Sequence, residues 1–243
     1  MIPVTMLLMA QSLGGCAMVA LATDLRLPSA APADLRVERL LQGDALGIDT
    51  AEPLLSWSWR PANGVESSSG VGQPRGIQPP NSVHVTCAAS AGQLDSHPFW
   101  NYRGEVGAVP SLLYRGPALR SHSRVHWRVC SGNGGKNPVA GDVWCATASF
   151  VTGIVKPSDW VAKWIRGRQL RSPELRLTGR NVSSAVVSVS GLGLVELMLN
   201  GAKVGDAELD PGFSTNYTER ILYSTWDVTH MLNQGEKSVV CVV

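Results

Sequence analysis

Apolar and polar residues alternate along much of the chain after Pro32, and this pattern predicts strands with one buried face. Leu55, Trp57 and Trp59 share one face of such a strand, because successive side chains point to opposite sides. The same alternation returns in later segments, at Val83, Val85 and Cys87 and at Val125, Trp127 and Val129. A further short strand is expected to end near Phe150.

The second half of the chain contains short apolar runs, at residues 175–177, 185–189, 194–199, 221–226 and 238–243. No amphipathic helix longer than about two turns is predicted, and residues 227–232 fit one helical turn capped by Asp227. Asn200-Gly201 predicts a two-residue hairpin turn, since both residues tolerate positive φ. Many short strands separated by turns indicate an all-β protein built from β-sandwiches.

Segments rich in Gly, Pro and Ser divide the chain. Residues 61–82 read as a long loop, and "TGIVKPSDW" is typical of a linker, which places a domain boundary near Val155. We therefore expect two tandem sandwiches at residues 33–153 and 154–243, preceded by a lead at residues 1–32. With 243 residues the chain exceeds the usual single-domain length, which agrees with two domains.

The lead carries no charged residue before Asp24 and resembles a secretory signal peptide with a small-residue exit at residues 20–22, followed by a disordered stretch. A secreted or extracytoplasmic protein is thus predicted. A misassigned start, or a lipoprotein signal at Cys16, is the alternative. The apolar stretch is too interrupted for a membrane span. Lys and Arg total 21 against 19 acids, so nucleic acid is not an expected partner.

Cysteines do not follow any metal-binding spacing, so no structural zinc site is predicted. Without Cys16, four cysteines remain, namely Cys87, Cys130, Cys145 and Cys241. Four cysteines can be joined into two disulfides in three different ways. A pair between Cys130 and Cys145 is favoured if a disulfide forms, because the Gly- and Asn-rich segment between them would bring their strands together. The favoured interpretation is still that most of the four are buried free thiols.

Hydrolase and nucleotide-binding motifs are absent from the sequence, so no catalytic residue is nominated. Asp206, Glu208 and Asp210 would share one face of an extended strand and are weak candidates for Ca²⁺, although their spacing is not that of an EF-hand. A solvated hairpin edge is the favoured interpretation. No other cofactor is predicted.

Tryptophan is over-represented, with eight residues against three phenylalanines. Core packing is the favoured role of Trp57, Trp127 and Trp164. Trp100, Trp144 and Trp226 lie near turns and are weaker candidates for ligand contact.

Together these segments resemble the N-terminal region of bacterial-type α-L-rhamnosidases, a family of glycoside hydrolases. The resemblance rests on motifs in order along the chain, namely "LGIDTAEPLLSW", "LRSHSRVHWRV", "PSDWVAKWI" and "GLGLVELMLNGAKVGDAELDPGFSTNYTERILYSTWDVTHML". It implies a fibronectin type III-like sandwich followed by a jelly-roll-type sandwich, here incomplete. In the family the acid and base carboxylates of an inverting hydrolysis lie on a later (α/α)-barrel, so none is transferred to this chain.

The function implied by this resemblance is that of an accessory region, structural or carbohydrate-binding, of an enzyme that removes terminal α-L-rhamnose. The chain alone is expected to be inactive. Candidate contacts to a rhamnose-containing glycan are Asn200, Asp206, Asp210 and Trp226. The alternative is a tandem-sandwich adhesion or interaction protein without a hydrolase link. Because residues 238–243 read as a strand with no partner after it, self-association through an unpaired edge is also expected.

Overall fold

The structure, a computed structural model, is almost entirely β and describes residues 6–12, 15–21, 30–41, 45–62, 80, 82–107, 109–132, 143–167, 170–172, 175–176, 182–208, 210–213, 216–232, 237–238 and 240–242. The core of the loop predicted at 61–82 lies outside these residues. Near the N-terminus, β1 (Met6–Ser12) and β2 (Gly15–Leu21) form an antiparallel pair. No helix in the described ranges is long and apolar enough to cross a membrane.

The first sandwich consists of facing sheets in which most neighbouring strands are antiparallel. Its strands are β3 (Ala30–Val37), β4 (Leu40–Leu41), β5 (Leu46–Ile48), β6 (Leu54–Pro61), β7 (Ser82–Ala88), β8 (Trp100–Gly104), β9 (Ser111–Leu113), β10 (Arg124–Gly132) and β11 (Trp144–Thr152). One sheet has the order β5-β11-β10-β7-β8 and the other β4-β3-β6-β9. The pairing of β5 with β11 is parallel.

The core of this sandwich contains the alternating residues that the sequence pattern selected. Leu55, Trp57 and Trp59 on β6 are buried, as are Val125, Trp127 and Val129 on β10. Across the two sheets, the ring centroids of Trp57 and Trp127 lie 6.5 Å apart. The period-two predictions for these strands are therefore confirmed.

Strand β3 begins before the expected start of the first sandwich. Residues 30–32, assigned from the sequence to a disordered lead, pair with residues 59–61 of β6. Ala30 is buried in the sandwich core. The sandwich therefore includes these residues. The sequence did not predict this, because the Ala- and Pro-rich stretch has no alternation of apolar and polar residues.

The remaining sheets follow residue 170. Their strands are β12 (Leu170–Arg171), β13 (Leu175–Arg176), β14 (Val186–Ser190), β15 (Leu197–Leu199), β16 (Ala202–Lys203), β17 (Tyr223–Asp227), β18 (Lys237–Ser238) and β19 (Val240–Val242). Their orders are β12-β19-β15-β16, β13-β18 and β14-β17. Leu197, Leu199, Val204 and Val228 form a second, smaller core.

Strand β19 corrects one expectation. The sequence predicted an unpaired edge at this strand, which read as having no partner after it, yet it pairs on one side with β12 and on the other with β15. Its partners precede it in the chain, which local sequence patterns do not reveal. The edges of this sheet are β12 and β16.

The hairpin between β15 and β16 has the predicted geometry. Asn200 and Gly201 have φ values of 52° and 83°, and Leu199 pairs with Ala202 directly across the turn. Short 3₁₀ turns occur at Ala91–Gln93, Pro157–Asp159 and Thr229–Met231. The last of these fits the predicted turn, and its Thr229 N–H donates to Asp227 Oδ1 at 2.9 Å.

Cys130 and Cys145 form a disulfide between directly opposed residues of β10 and β11. The favoured pairing is thus confirmed. Cys87 is a buried free thiol, and burial raises its pKa to about 12.

Candidate functional site

Asp210 and Trp226, both predicted sugar contacts, bind each other. The Trp226 Nε1–H donates to Asp210 Oδ2 at 3.0 Å, and the Ser224 hydroxyl donates to Asp210 Oδ1. The Trp226 ring also covers Gly205 so closely that a Cβ there would lie 2.7 Å from ring atoms. These contacts attach the loop after β16 to β17.

Asn200 and Asp206, the other two predicted sugar contacts, have different surroundings. The Asn200 Nδ2 donates to the backbone oxygen of Met231 at 2.9 Å, which ties the hairpin turn to the 3₁₀ turn at Thr229–Met231. Asp206 is exposed in the loop after β16.

The proposed Ca²⁺ ligands are not brought together. Among the residues that the structure describes, no three His, Cys, Asp or Glu side chains are grouped as a metal site requires. Glu208 lies 3.8 Å from the Lys203 ammonium, while Asp210 accepts the bonds already given. The prediction assumed an extended strand through Asp206 to Asp210, but β16 ends at Lys203 and the chain then bends.

A groove lies between the extended segment 160–167 and the chain around β14. It encloses about 410 Å³, and its lining includes Trp160, Lys163, Trp164, Arg166, Leu170, Ser188, Ser190, Leu192 and Leu194. Trp164 is 60% exposed, so the prediction that it packs in a core is wrong. The segment that carries it is not part of a sheet, and alternation there does not lead to burial.

The side chains that line this groove are of the kinds found in ligand-binding sites. Apolar and aromatic walls with a few polar groups are typical of ligand sites. Lys163 and Arg166 are exposed and provide charged donors, whereas the Ser190 hydroxyl is already bonded to the Leu222 carbonyl at 2.8 Å. None of the described residues that line the groove is Asp or Glu, the residue types that carry out most glycoside hydrolysis.

One wall of the groove is held in place by Tyr223. Its ring packs edge-on against Trp160, with centroids 5.7 Å apart, and its hydroxyl accepts the Ile154 N–H at 3.1 Å. Burial is the main reason that the pKa of Tyr223 is raised. The neutral hydroxyl is therefore favoured at this position, and Trp160 is fixed at the start of the groove segment.

Polar contacts also join β14 and β17 to the first sandwich. His122 Nε2 and Ser188 Oγ are 3.1 Å apart, and the Ser188 and Thr225 hydroxyls are also 3.1 Å apart. Arg124 Nη2 lies 3.4 Å from Asp227 Oδ2. Sequence reasoning missed this junction, because its members are single polar residues far apart in the chain.

The sequence model of the α-L-rhamnosidase N-terminal domain matches residues 180–243, the part of the chain that contains β14, the hairpin and β17. The chain is thus similar to the N-terminal region of bacterial-type α-L-rhamnosidases. An α-L-rhamnosidase of Formosa agariphila is 28% identical over 233 residues, which cover 82% of this chain and 22% of that protein. One of Streptomyces avermitilis is 41% identical over 75 residues, or 31% of this chain and 7% of that protein.

Two solved structures share the β-rich fold of this chain. An α-L-rhamnosidase structure from Dictyoglumus thermophilum matches with a TM-score of 0.68 at 22% identity, covering 87% of this chain and 25% of that chain. One from Aspergillus terreus matches with a TM-score of 0.61 at 22% identity, covering 88% and 24%. The chain therefore spans about a fifth to a quarter of the length of these relatives.

Proposed function

We propose that this chain is an accessory region of an enzyme that hydrolyses terminal α-L-rhamnosides, and that the region binds carbohydrate. The observation that carries the proposal is the match, over 82% of the chain, to a relative named α-L-rhamnosidase. The groove beside Trp164 supports a binding role, since it combines an exposed indole with the Lys163 and Arg166 donors.

Hydrolysis by the chain itself is not part of this proposal. Two positioned carboxylates are needed for it, and the described lining of the groove has none. The test is to incubate the purified chain with an aryl α-L-rhamnoside. We expect no release of the aryl group above buffer, and saturable release would contradict this.

Asn200, Asp206, Asp210 and Trp226 are proposed as secondary contacts to sugar. Asp206 is the sharpest test among them, because its side chain is exposed in the loop after β16. Unchanged rhamnose binding by Asp206→Ala would remove it from the site. Trp226→Ala is less informative, since Trp226 also packs on the smaller core.

We further propose that the first sandwich, residues 30–153, is fibronectin type III-like. We also propose that residues 154–243 form the second domain and that the protein acts outside the cytoplasm. The Cys130–Cys145 disulfide supports the last point, because disulfides persist mainly in oxidising compartments. Detection of the chain in the culture medium or periplasm of an expressing bacterium tests it.

We also propose that two copies of the chain associate through exposed apolar residues and strand edges. Val161 and Ile165 are 87% and 67% exposed, and apolar surface of this kind commonly marks protein contacts. The edge strands β12 and β16 offer further pairing positions. Sedimentation of the full chain over a range of concentrations distinguishes a dimer from a monomer, and Ile165→Glu should weaken the dimer.

A further inference from the structure

Polar side chains line up on the outer face of the first sandwich, away from its core. Arg128 on β10 is directly opposite Thr86 on β7, and Thr86 is directly opposite Asn101 on β8. Two residues along, His84 faces Arg103 in the same way. Because side chains alternate, all five project from one face of the sheet, and they line a single open pocket.

Two polar atoms in this pocket are buried and have no hydrogen-bond partner among the residues that the structure describes. They are the Thr86 hydroxyl, on a residue only 2% exposed, and the Arg128 Nε–H. Buried polar groups are nearly always bonded, and leaving one unpaired costs about 1–3 kcal/mol. Both can donate to an oxygen atom of a ligand.

The pocket has an excess of positive charge. Arg103 and Arg128 contribute two guanidinium groups, against the single carboxylate of Asp95. Burial, followed by these two arginines, lowers the pKa of His84, so its imidazole is neutral at pH 7. An anion is therefore the ligand that the pocket favours.

Asp95 already demonstrates how a carboxylate fits. Its Oδ1 accepts from Arg128 Nη2 at 2.5 Å, yet its side chain is 78% exposed. The hydrogen bond from Arg128 lowers the pKa of Asp95. Asp95 lies on a turn and lines the pocket, and its exposed side chain leaves the Arg128 guanidinium within reach of a competing carboxylate.

We propose that this pocket binds the carboxylate group of an acidic ligand, which replaces Asp95 on Arg128 and also contacts Arg103, Asn101 and the Thr86 hydroxyl. Charge-assisted bonds between guanidinium and carboxylate are among the strongest hydrogen bonds in proteins. The pocket is formed by the first sandwich alone, so this site is independent of the groove beside Trp164 and of the proposed rhamnoside function.

The test is an NMR titration of the isotopically labelled full chain with sodium glucuronate, sodium acetate and neutral methyl glucoside. We expect saturable shifts at residues 84, 86, 101, 103 and 128 with the two carboxylates and none with the glucoside. Tighter binding of glucuronate than of acetate identifies an acidic sugar as the ligand, whereas equal affinities identify the carboxylate alone. Absence of saturable shifts with both carboxylates would overturn the proposal.

Variants separate a ligand site from a structural cluster. Arg103→Gln should weaken glucuronate binding roughly tenfold, and Asp95→Asn should strengthen it because the competing carboxylate is gone. Thr86→Val keeps the shape but removes the hydroxyl. If Thr86 does not contact the ligand, this variant binds glucuronate as the wild type does, and that result together with wild-type binding by Arg103→Gln would refute the site.

Discussion

The Tyr223 hydroxyl of β17 accepts the backbone N–H of Ile154, just beyond the first sandwich, at 3.1 Å. Gly153 makes this contact possible, because a Cβ there would lie 2.7 Å from the same hydroxyl. With the Arg124–Asp227 ion pair nearby, Tyr223 joins the later sheets to the first sandwich through specific polar contacts.

Tyr223→Phe should lower the free energy of unfolding by about 1 kcal/mol, since one partly buried hydrogen bond is lost. Urea denaturation measures this. Tyr102→Phe is the matched control, because its hydroxyl donates to the Glu105 carbonyl within the first sandwich. Limited proteolysis should cleave the segment around residues 154–160 faster in Tyr223→Phe only, and equal cleavage in both variants would argue against a role in the junction.

Acid should weaken the same junction. Burial opposes ionisation of Asp227, but the hydrogen bonds from Thr229 and the charges of Arg124 and His230 outweigh it, so its pKa is lowered from 3.8. A lowered pKa in the folded state means stability that is present above pH 3.8 and lost as the pH falls through the folded value. Asp227→Asn should therefore flatten the dependence of the urea midpoint on pH as the pH falls below about 4. A slope equal to that of the wild type would contradict the assignment.

Gly201→Ala should destabilise the chain by about 1 kcal/mol, because Gly201 has a φ of 83° and a side chain is disfavoured there. A Cβ at Gly201 would meet no atom within 4 Å, so backbone conformation alone is responsible. Gly92→Ala is the control, as its surroundings are equally open and its φ lies outside the left-handed region. Thermal unfolding of both variants should separate them by several degrees.

Reduction of the Cys130–Cys145 disulfide should cost about 3 kcal/mol of stability, as expected for a loop of this length. Alkylation after mild reduction, followed by peptide mass mapping, should label the exposed Cys145 and leave Cys87 unmodified. Cys87 is fully buried, and its raised pKa keeps the thiol protonated. Labelling of Cys87 in the native chain at pH 8 would contradict this account.

Sequence patterns predicted the strands of the first sandwich well, because Trp57 and Trp127 lie in regular alternation and are buried accordingly. The same reasoning failed for Trp164, whose segment has no sheet neighbour, and for the acids after β16, where the chain bends. Strand β19 shows a third kind of limit. Its pairing with β12 and β15 depends on topology, and a local apolar run carries no information about which earlier strands it joins.

The most direct test of the carbohydrate-binding role is a titration of the purified chain with rhamnose and a rhamnose-containing oligosaccharide, followed by calorimetry. The variant Trp164→Ala removes the exposed indole from the groove, and Trp144→Ala is the matched control because Trp144 is also exposed but lies on β11. We expect weak, saturable binding by the wild type and by Trp144→Ala, and its loss in Trp164→Ala. Binding that is unchanged in Trp164→Ala, or absent from the wild type, would contradict the account.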